Sequence, residues 1–487
     1  MRIFILTEGS INKGFGHVTR CTSLYQAFDK KGIVPEFLVN GDETVNALLK
    51  GTNHKVFNWM KEQGRLSNLI KHAEIIIVDS YLADYGFYKK ISGSVNVPVY
   101  IDDNKRINYP KGIVINGTIC ADELNYSKKE DITYLLGTKY VPLRKEFWDV
   151  PEKEIKENIE KAMITFGGDD AKNMTPKVLK VLNEKYPGLI KRVIIGKGFK
   201  NIKKIEILKD VKTELIYYPN AEKMKKVMLE SDIVISAAGQ TLYELARVGV
   251  PTIAIAVADN QINNVKGWQK TGFINYAGWW EDKDVSNNLI LNLKLLHSTD
   301  LRKEKLSIGK RMIDGLGAAR VVAECIKQYY DAHLVLRKAE TKDIYDIYEL
   351  SNSLDVRHNS FNPSRIEIEN HKIWFRNKIN DPNCIFLVAA INNKFAGQVR
   401  FDKDNDRAVI SISLLHAHRG SGIGQRMAQK ALQYLKTHDP AIRYVVAYVK
   451  EENINSQHFF ESLNFLYKNN KIIDKQKALE YSLELKS

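Results

Sequence analysis

Two glycines and a histidine near the start of the chain could hold a phosphate and carry out acid–base chemistry. Gly14-Phe15-Gly16-His17 follows a short apolar run and precedes a helical pattern. Glycines let the backbone approach a phosphate closely, and a helix N-terminus offers free N–H groups to an anion. The loop lacks the lysine-serine ending of a P-loop and the full dinucleotide fingerprint, which disfavours both folds. His17 is then either a general base or a helix-capping residue without chemistry.

A second loop of this kind lies in the middle of the chain. Gly239, Gln240 and Thr241 precede a helical pattern, so their N–H groups could hold a diphosphate. Glu244 follows one turn later. Its carboxylate either accepts hydrogen bonds from ribose hydroxyls or is a charge on the helix surface.

Polar side chains also follow the apolar run Glu74–Val78. Asp79 and Tyr81 lie at the end of this predicted strand. Because ligands bind beyond the carboxyl ends of parallel strands, both side chains are candidates for the site. Packing at the end of a buried strand is the alternative.

A third glycine-rich loop lies near the C-terminus. Arg419-Gly420-Ser421-Gly422-Ile423-Gly424 follows a predicted strand that ends at Leu414, and it opens a helix. Its backbone N–H groups could hold the diphosphate of a coenzyme. A turn and helix without a ligand is the alternative.

The chain around these loops divides into three blocks. In the first two, apolar runs alternate with helical patterns, which favours α/β domains with parallel sheets. The predicted strands are Ile3–Leu6, Pro35–Val39, Glu74–Val78, Val97–Ile101, Ala162–Phe166, Arg192–Ile195, Glu214–Tyr217, Ile233–Ser236 and Thr252–Ile255. The predicted helices are His17–Lys31, Glu43–Lys50, Ala221–Glu230, Thr241–Val248 and a span Lys303–Tyr330 that is broken near Gly315. Two such halves form a cleft between them.

The third block begins near Leu334 and is α+β. Its predicted elements are the strands Leu334–Arg337, Ile385–Ile391, Phe395–Phe401, Ala408–Leu414 and Tyr444–Val449, and the helix Gly424–Lys436. We place the three domains at residues 1–150, 151–332 and 333–487.

Composition restricts the partners. The 487 residues carry a formal net charge of +15, which favours anionic partners or reflects a solvated, lysine-rich surface. We find no basic run with interleaved aromatic residues and no zinc-finger spacing, so we expect no nucleic-acid partner.

The four cysteines are far apart and form no C-x-x-C pair, which fits a reducing compartment. With no signal peptide and no long apolar span, we expect a cytoplasmic protein without a membrane partner. The oligomeric state does not follow from the sequence.

Gly14–Cys21 resembles the G-x-G-H-x-x-R-C signature of the UDP-sugar hydrolases of the pseudaminic acid pathway, which have a GT-B fold. Further segments resemble that family in its own order, over about two thirds of the chain. These are Val78–Tyr81, Ile101–Asp103, Tyr140–Phe147, Thr165–Asp170, Ser236–Glu244 and Asp259–Asn264. The resemblance implies a GT-B-like pair of Rossmann-like domains.

It also implies a reaction, the hydrolysis of UDP-2,4-diacetamido-2,4,6-trideoxy-β-L-altropyranose to free sugar and UDP. His17, Tyr81 and Asp79 would then be catalytic, and no metal is expected. The residues expected to bind the UDP-sugar are Gly14, Gly16, Arg144, Gly167, Gly168, Gly239, Gln240, Thr241, Glu244 and Asn260.

The C-terminal loop fits the pyrophosphate motif of the GNAT acetyltransferases, and Glu452–Ser456 and Phe459–Phe465 resemble the end of that superfamily's domain. The resemblance implies acetyl-CoA as co-substrate and the 4-amino group of the UDP-sugar precursor as acceptor. The residues expected to bind acetyl-CoA are Leu414, Arg419, Gly420, Ser421, Gly422, Ile423, Gly424 and Asn455. One departure is Phe460, where many members have a tyrosine assigned to protonate the thiolate.

The segment Arg357–Phe361, together with His371, Trp374 and Phe375, is the part of such a domain that usually lines the acceptor site; packing in the core is the alternative for the aromatic side chains. Three other functions stay open for the whole chain. The first is a GT-B glycosyltransferase fused to an acetyltransferase. The second is a UDP-sugar-binding module in which only the acetyltransferase is active. The third keeps both activities but uses another amino-sugar.

Overall fold

The computed structural model describes residues 1–10, 14–420 and 422–485. The chain forms two compact units, Met1–Cys325 and Ile326–Ser487. The first unit holds two fully parallel sheets, and the second holds one mixed sheet. Parallel sheets with crossover helices confirm the predicted α/β class of the first two thirds. Within the described residues, no helix is long and apolar enough to cross a membrane.

The N-terminal lobe of the first unit contains a seven-stranded sheet in the order β3-β2-β1-β4-β5-β6-β7. Its strands are β1 Ile3–Gly9, β2 Glu36–Gly41, β3 His54–Val56, β4 Ile75–Asp79, β5 Val97–Ile101, β6 Gly112–Asn116 and β7 Ile132–Leu136. Its helices are α1 Gly16–Asp29, α2 Gln63–Ile70 and α3 Tyr85–Ser94. Every residue of the central strands β1 and β4 is buried, as in a sheet covered on both faces. Here the strand order reverses, and Thr7 lies beside Asp79.

The predicted helix Glu43–Lys50 is wrong, because only the short 3-10 turn Glu43–Val45 forms. The Asp42 carboxylate accepts a hydrogen bond from the backbone N–H of Thr44 at 3.0 Å. Such a bond offers the backbone an alternative to a helix, and β-branched residues lower helix propensity further.

The C-terminal lobe contains a six-stranded sheet in the order β10-β9-β8-β11-β12-β13. Its strands are β8 Lys161–Thr165, β9 Ile190–Ile195, β10 Thr213–Tyr217, β11 Ile233–Ala237, β12 Thr252–Ala256 and β13 Ile274–Trp279. Its helices are α4 Met174–Lys185, α5 Ile202–Leu208, α6 Ala221–Glu230, α7 Thr241–Val248, α8 Ile262–Thr271, α9 Val285–Leu295 and α10 Thr299–Met312. The strand order reverses between β8 and β11, which is where open α/β sheets bind ligands.

The predicted break near Gly315 is confirmed. Helix α10 ends at Met312, and helix α11 spans Gly317–His333. Gly315 has a φ of +82°, a left-handed conformation that glycine adopts without strain.

The second unit contains a seven-stranded sheet in the order β14-β15-β16-β17-β18-β20-β19. Its strands are β14 Leu334–Lys338, β15 Cys384–Ile391, β16 Lys394–Asp404, β17 Arg407–Leu414, β18 Tyr444–Lys450, β19 Leu466–Ile473 and β20 Gln476–Glu484. Its helices are α12 Ile344–Asn352, α13 Leu354–Asn359, α14 Ile368–Asn380, α15 Ile423–His438 and α16 Ile454–Ser462. Strand β17 pairs with β18 only over Arg407–Val409, so the two strands separate before Leu414.

Candidate functional sites

His17 and Asp79 form a hydrogen-bonded pair at the point where the strand order of the first sheet reverses. His17 is the second residue of α1, and Asp79 is the last residue of β4 and is fully buried. Nδ1 of His17 lies 2.7 Å from Oδ1 of Asp79. An ionised carboxylate only accepts hydrogen bonds, so we assign the ring proton to Nδ1. Nε2 of His17 is then the atom that can take a proton.

Arg20 lies one turn after His17 and holds two carboxylates. Its Nε and Nη2 donate to Asp79 at 2.5 and 2.6 Å, and its Nη1 donates to both oxygens of Asp103 at 2.6 and 2.7 Å. Burial by itself would raise the pKa of Asp79, but Arg20 and His17 outweigh it and hold that pKa well below its ordinary value. Asp79 is therefore ionised at neutral pH.

Tyr81 covers the imidazole. Its ring meets that of His17 edge-on at a centroid distance of 4.6 Å, and its hydroxyl donates to Asp103 at 2.8 Å. Burial, and next the charge of Asp103, raise the pKa of the Tyr81 phenol well above its ordinary value. The hydroxyl is therefore a neutral hydrogen-bonding group at neutral pH.

Glu8 is a carboxylate beside this pair to which sequence reasoning assigned no role. It is 4% exposed, and its Oε1 accepts from the backbone N–H of Tyr81 at 2.7 Å and lies 3.9 Å from Nε2 of His17. Arg20 and Asp103 were also given no role. Their positions in the sequence could have identified them, because Arg20 lies one helical turn after the glycine loop and Asp103 follows the end of a strand.

A pocket of about 310 Å³ opens in front of His17, and both lobes line it. The residues that line it are Gly16, His17, Arg20, Tyr81, Asp103, Asn104, Thr118, Cys120, Ala238, Gly239, Gln240, Tyr243, Asn260, Gln261, Asn263 and Asn264. The structure thus brings together six of the predicted site residues: Gly16, His17, Tyr81, Gly239, Gln240 and Asn260. Asp79 lies directly behind His17. The wall of this pocket does not include Gly14 or Thr241.

Arg144 and Glu244, both predicted to bind the substrate, bind each other. Nε and Nη2 of Arg144 donate to the two carboxylate oxygens of Glu244 at 2.8 Å each. Burial raises the pKa of Glu244, and Arg144 opposes that effect. Neither side chain lines the pocket. The pair ties the segment after β7 to α7, and a contact of Glu244 with ribose stays a prediction.

Gly167 and Gly168 form the turn after β8, away from the pocket wall. The helix N-terminus that follows is already occupied, because the Asp170 carboxylate accepts from the N–H groups of Met174 and Thr175 at 2.8 and 2.9 Å. The backbone of Gly168 also lies so close to Gly196 that a Cβ on Gly196 would be 2.2 Å from the Gly168 oxygen. This contact requires glycine at position 196, whereas a Cβ on Gly167 or Gly168 would meet nothing within 4 Å. The binding role of Gly167 and Gly168 stays a prediction.

The glycine loop of the second unit lies between β17 and α15, where β17 and β18 have separated. Gly420 and Gly422 have φ angles of +71° and +84°, which other residues adopt only with strain. Ile423 begins α15, and Gly424 lies against α16, since a Cβ there would be 3.3 Å from the Phe459 ring. Ser421 lies outside the described residues.

The remaining predicted coenzyme residues flank this loop. Leu414 ends β17, and its carbonyl accepts from Nε of Arg419 at 3.1 Å, while Nη1 of Arg419 donates to Asp355 at 2.9 Å. Asn455 is exposed on the first turn of α16. Coenzyme contacts of these residues stay predictions.

The aromatic side chains of α14 that were predicted near the acceptor site pack into the core of the second unit. Phe375 is fully buried and His371 is 1% exposed, and Trp374 packs against the same cluster. For Phe375 and His371 the burial favours the alternative of core packing. Phe375 packs against Phe386 of β15, and Nε2 of His371 lies 3.1 Å from the carbonyl of Ile344 in α12. A role in the acceptor site stays a prediction. Phe460 is 6% exposed and lies 5.1 Å, ring to ring, from both Phe459 and Phe465.

Two family models match the chain. The glycosyltransferase family 28 C-terminal domain matches residues 163–307, which include the loop at Gly239. The acetyltransferase (GNAT) family matches residues 342–465, which include the loop at Gly422. The GNAT match supports an acetyltransferase that uses acetyl-CoA, and the other match supports a nucleotide-sugar substrate.

Similar proteins cover different parts of the chain. An uncharacterized protein of Methanocaldococcus jannaschii is 27% identical over 96% of both chains. A Helicobacter pylori pseudaminic acid cytidylyltransferase and UDP-2,4-diacetamido-2,4,6-trideoxy-β-L-altropyranose hydrolase is 25% identical over 56% of this chain and 47% of its own length. A Campylobacter jejuni UDP-2,4-diacetamido-2,4,6-trideoxy-β-L-altropyranose hydrolase is 23% identical over 56% of this chain and 98% of its own.

A solved structure of Vibrio cholerae spermidine N-acetyltransferase, in complex with CoA and spermine, covers 31% of the chain at 19% identity and a TM-score of 0.29. The family models and the named relatives confirm the resemblance read from the motifs. The chain joins a half that resembles the UDP-sugar hydrolases of the pseudaminic acid pathway to a GNAT-family acetyltransferase segment.

Proposed function

We propose that the unit Met1–Cys325 hydrolyses UDP-2,4-diacetamido-2,4,6-trideoxy-β-L-altropyranose to free sugar and UDP. We propose further that the C-terminal domain N-acetylates the UDP-4-amino-sugar precursor. One observation carries the hydrolase: His17, hydrogen-bonded to the buried Asp79, faces a pocket that both lobes line.

In the hydrolysis, the oxygen of a water bonds to the anomeric carbon, and one water proton passes to Nε2 of His17. The bond between the anomeric carbon and the UDP oxygen breaks, and UDP leaves with its electron pair. Asp79 holds the imidazole in the required tautomer and stabilises the imidazolium that forms, as the carboxylate does in a catalytic triad. Backbone N–H groups near Gly16 and Gly239 would stabilise the departing diphosphate.

The acetyltransferase rests on the GNAT match and on the shape of the loop. Gly420 and Gly422, both left-handed, turn the chain into the N-terminus of α15, where free N–H groups can bind the coenzyme diphosphate. The opening between β17 and β18 provides space beside that loop. The acceptor amine attacks the thioester carbonyl carbon and forms a C–N bond, the C–S bond breaks, the coenzyme leaves as the thiolate, and the amine nitrogen releases one proton to solvent.

The test uses the full chain, the UDP-4-amino-sugar and acetyl-CoA, with products followed by mass spectrometry in ¹⁸O-labelled water. We expect acetylated UDP-sugar first, then UDP, with the label in the free sugar and not in UDP. Label in UDP, or UDP release only after a sugar acceptor is added, would contradict the hydrolysis. The latter result would indicate a glycosyltransferase.

Two crossed variants separate the activities. His17→Ala should abolish UDP release and leave acetyl transfer largely intact, because it removes the proton acceptor of one pocket only. Gly422→Ala should impair acetyl transfer, because alanine is strained at a φ of +84°, and should leave intact the UDP release measured with UDP-2,4-diacetamido-2,4,6-trideoxy-β-L-altropyranose supplied as substrate. UDP release at the wild-type rate from His17→Ala would contradict the proposed role of the histidine.

A further inference from the structure

A series of buried and part-buried hydrogen bonds crosses the cleft between the two lobes of the first unit. The backbone N–H of Ile119, in the loop after β6, donates to the hydroxyl of Tyr243 at 3.0 Å. That hydroxyl donates to Oδ1 of Asn264 at 2.6 Å, and Nδ2 of Asn264 donates to the carbonyl of Ala238 at 2.7 Å. This series of hydrogen bonds therefore links a loop of the N-terminal lobe to the residue that precedes Gly239.

The same series of hydrogen bonds borders the pocket on both sides. Thr118 and Cys120, which flank Ile119, line it, and so do Tyr243 and Asn264. Tyr243 is 2% exposed and packs edge-on against the buried Trp268 at 5.3 Å. The hydroxyl of Tyr243 accepts a hydrogen bond from a backbone N–H and donates one to a side-chain amide oxygen. Its donor and one acceptor position are therefore both used when the two lobes are in contact.

Helix α8 packs closely against the same loop. A Cβ on Gly267 would lie 2.5 Å from Cγ2 of Ile119, so only glycine lets helix and loop meet at this distance. The hydrogen bond of Tyr243 and the close approach at Gly267 thus act on one contact, between Ile119 and the C-terminal lobe.

We propose that Tyr243 is a positioning residue that holds the cleft closed around UDP. It sets the distance between the wall that carries His17 and the loop at Gly239. This inference rests on the proposed hydrolase site and adds a residue to it. Because a ligand binds a protein with an affinity reduced by the fraction in the competent state, weakening the closed state weakens UDP binding.

Tyr243→Phe keeps the ring and removes the hydroxyl, which leaves the part-buried N–H of Ile119 and the buried amide oxygen of Asn264 without their partner. We expect UDP affinity, measured by calorimetry, to fall about tenfold, as for a lost buried hydrogen bond. KM for the UDP-sugar should rise by a similar factor while kcat changes little, since saturating substrate restores closure. Tyr100→Phe is the matched control, because its hydroxyl bonds the Lys111 carbonyl within the N-terminal lobe.

Gly267→Ala tests the same contact with the hydroxyl intact. It should reproduce the rise in KM, whereas Gly93→Ala, a helical glycine with open space around its Cβ position, should not. Unchanged UDP affinity and KM in folded Tyr243→Phe and Gly267→Ala proteins would overturn the role of Tyr243. Equal effects in Tyr100→Phe would overturn it too. If the wild type binds UDP but releases none from the UDP-sugar, the proposed hydrolysis fails, while the calorimetric comparison still decides on Tyr243.

Discussion

Replacing Asp79 with asparagine separates the charge of this side chain from its shape. In the native protein the carboxylate accepts hydrogen bonds from His17 and from two nitrogens of Arg20, all at 2.5–2.7 Å. Asparagine has one acceptor oxygen and one donor nitrogen, so it cannot satisfy both partners. Breaking a buried ion pair costs about 3–5 kcal/mol. Because Arg20 keeps its two bonds to Asp103, we expect the unfolding free energy to fall by about 3 kcal/mol.

The same substitution should also slow the proposed hydrolysis. His17 loses the acceptor that holds its Nδ1 proton, so the other tautomer and other ring orientations become available. General base catalysis is worth about 10²–10⁴-fold, and we expect kcat to fall within that range. Acetyl transfer should stay at the wild-type rate, since Asp79 lies in the other compact unit.

The stability of the native protein should also depend on pH through this residue. The pKa of Asp79 is lowered in the folded protein, so the unfolded chain binds this proton first as the pH falls. The stabilisation is present above the ordinary aspartate pKa of about 3.9 and is lost below it, towards the lower pKa of the folded state. Asp79→Asn should flatten this part of the profile.

The measurements are denaturant unfolding at pH 7 and at about pH 3, below the ordinary aspartate pKa, and initial rates of UDP release. Asp103→Asn is the control, because it leaves the bond between His17 and Asp79 intact and should lower kcat less. A folded Asp79→Asn protein with wild-type kcat would refute the role of the carboxylate in orienting the imidazole.

Two further predictions concern the other residues. Glu244→Ala leaves Arg144 without its carboxylate, so we expect weaker UDP binding by calorimetry and a lower melting temperature, with acetyl transfer unchanged; unchanged UDP affinity would reject the link. Phe460→Tyr adds a hydroxyl to a ring packed between Phe459 and Phe465, and we expect similar acetyl-CoA affinity with an equal or higher acetylation rate. A rate more than tenfold lower in the folded variant would show that the apolar ring itself is required.

Local patterns were sufficient for the elements that position His17 and Asp79. Apolar runs predicted β4 and β5 to within one residue, because strands buried on both faces are nearly continuous in hydrophobic residues. The glycines before His17 and before α7 predicted two loops that lie on one pocket, because glycine followed by a helix start is legible in the sequence itself. The wrong prediction of a helix at Glu43–Lys50 also has a local cause, because a side chain hydrogen-bonds to the backbone there.

Pairing across the fold could not be derived in this way. Arg144 and Glu244 are 100 residues apart, and each reads as a free charge until the segment after β7 packs against α7. Ile119 and Tyr243 are 124 residues apart, and a backbone N–H carries no side-chain signal for its partner. The sequence by itself determined which residue types stand at the strand and helix ends. The tertiary structure decided which of them meet, because a charge or a hydroxyl acquires its partner only when two distant elements are buried against each other.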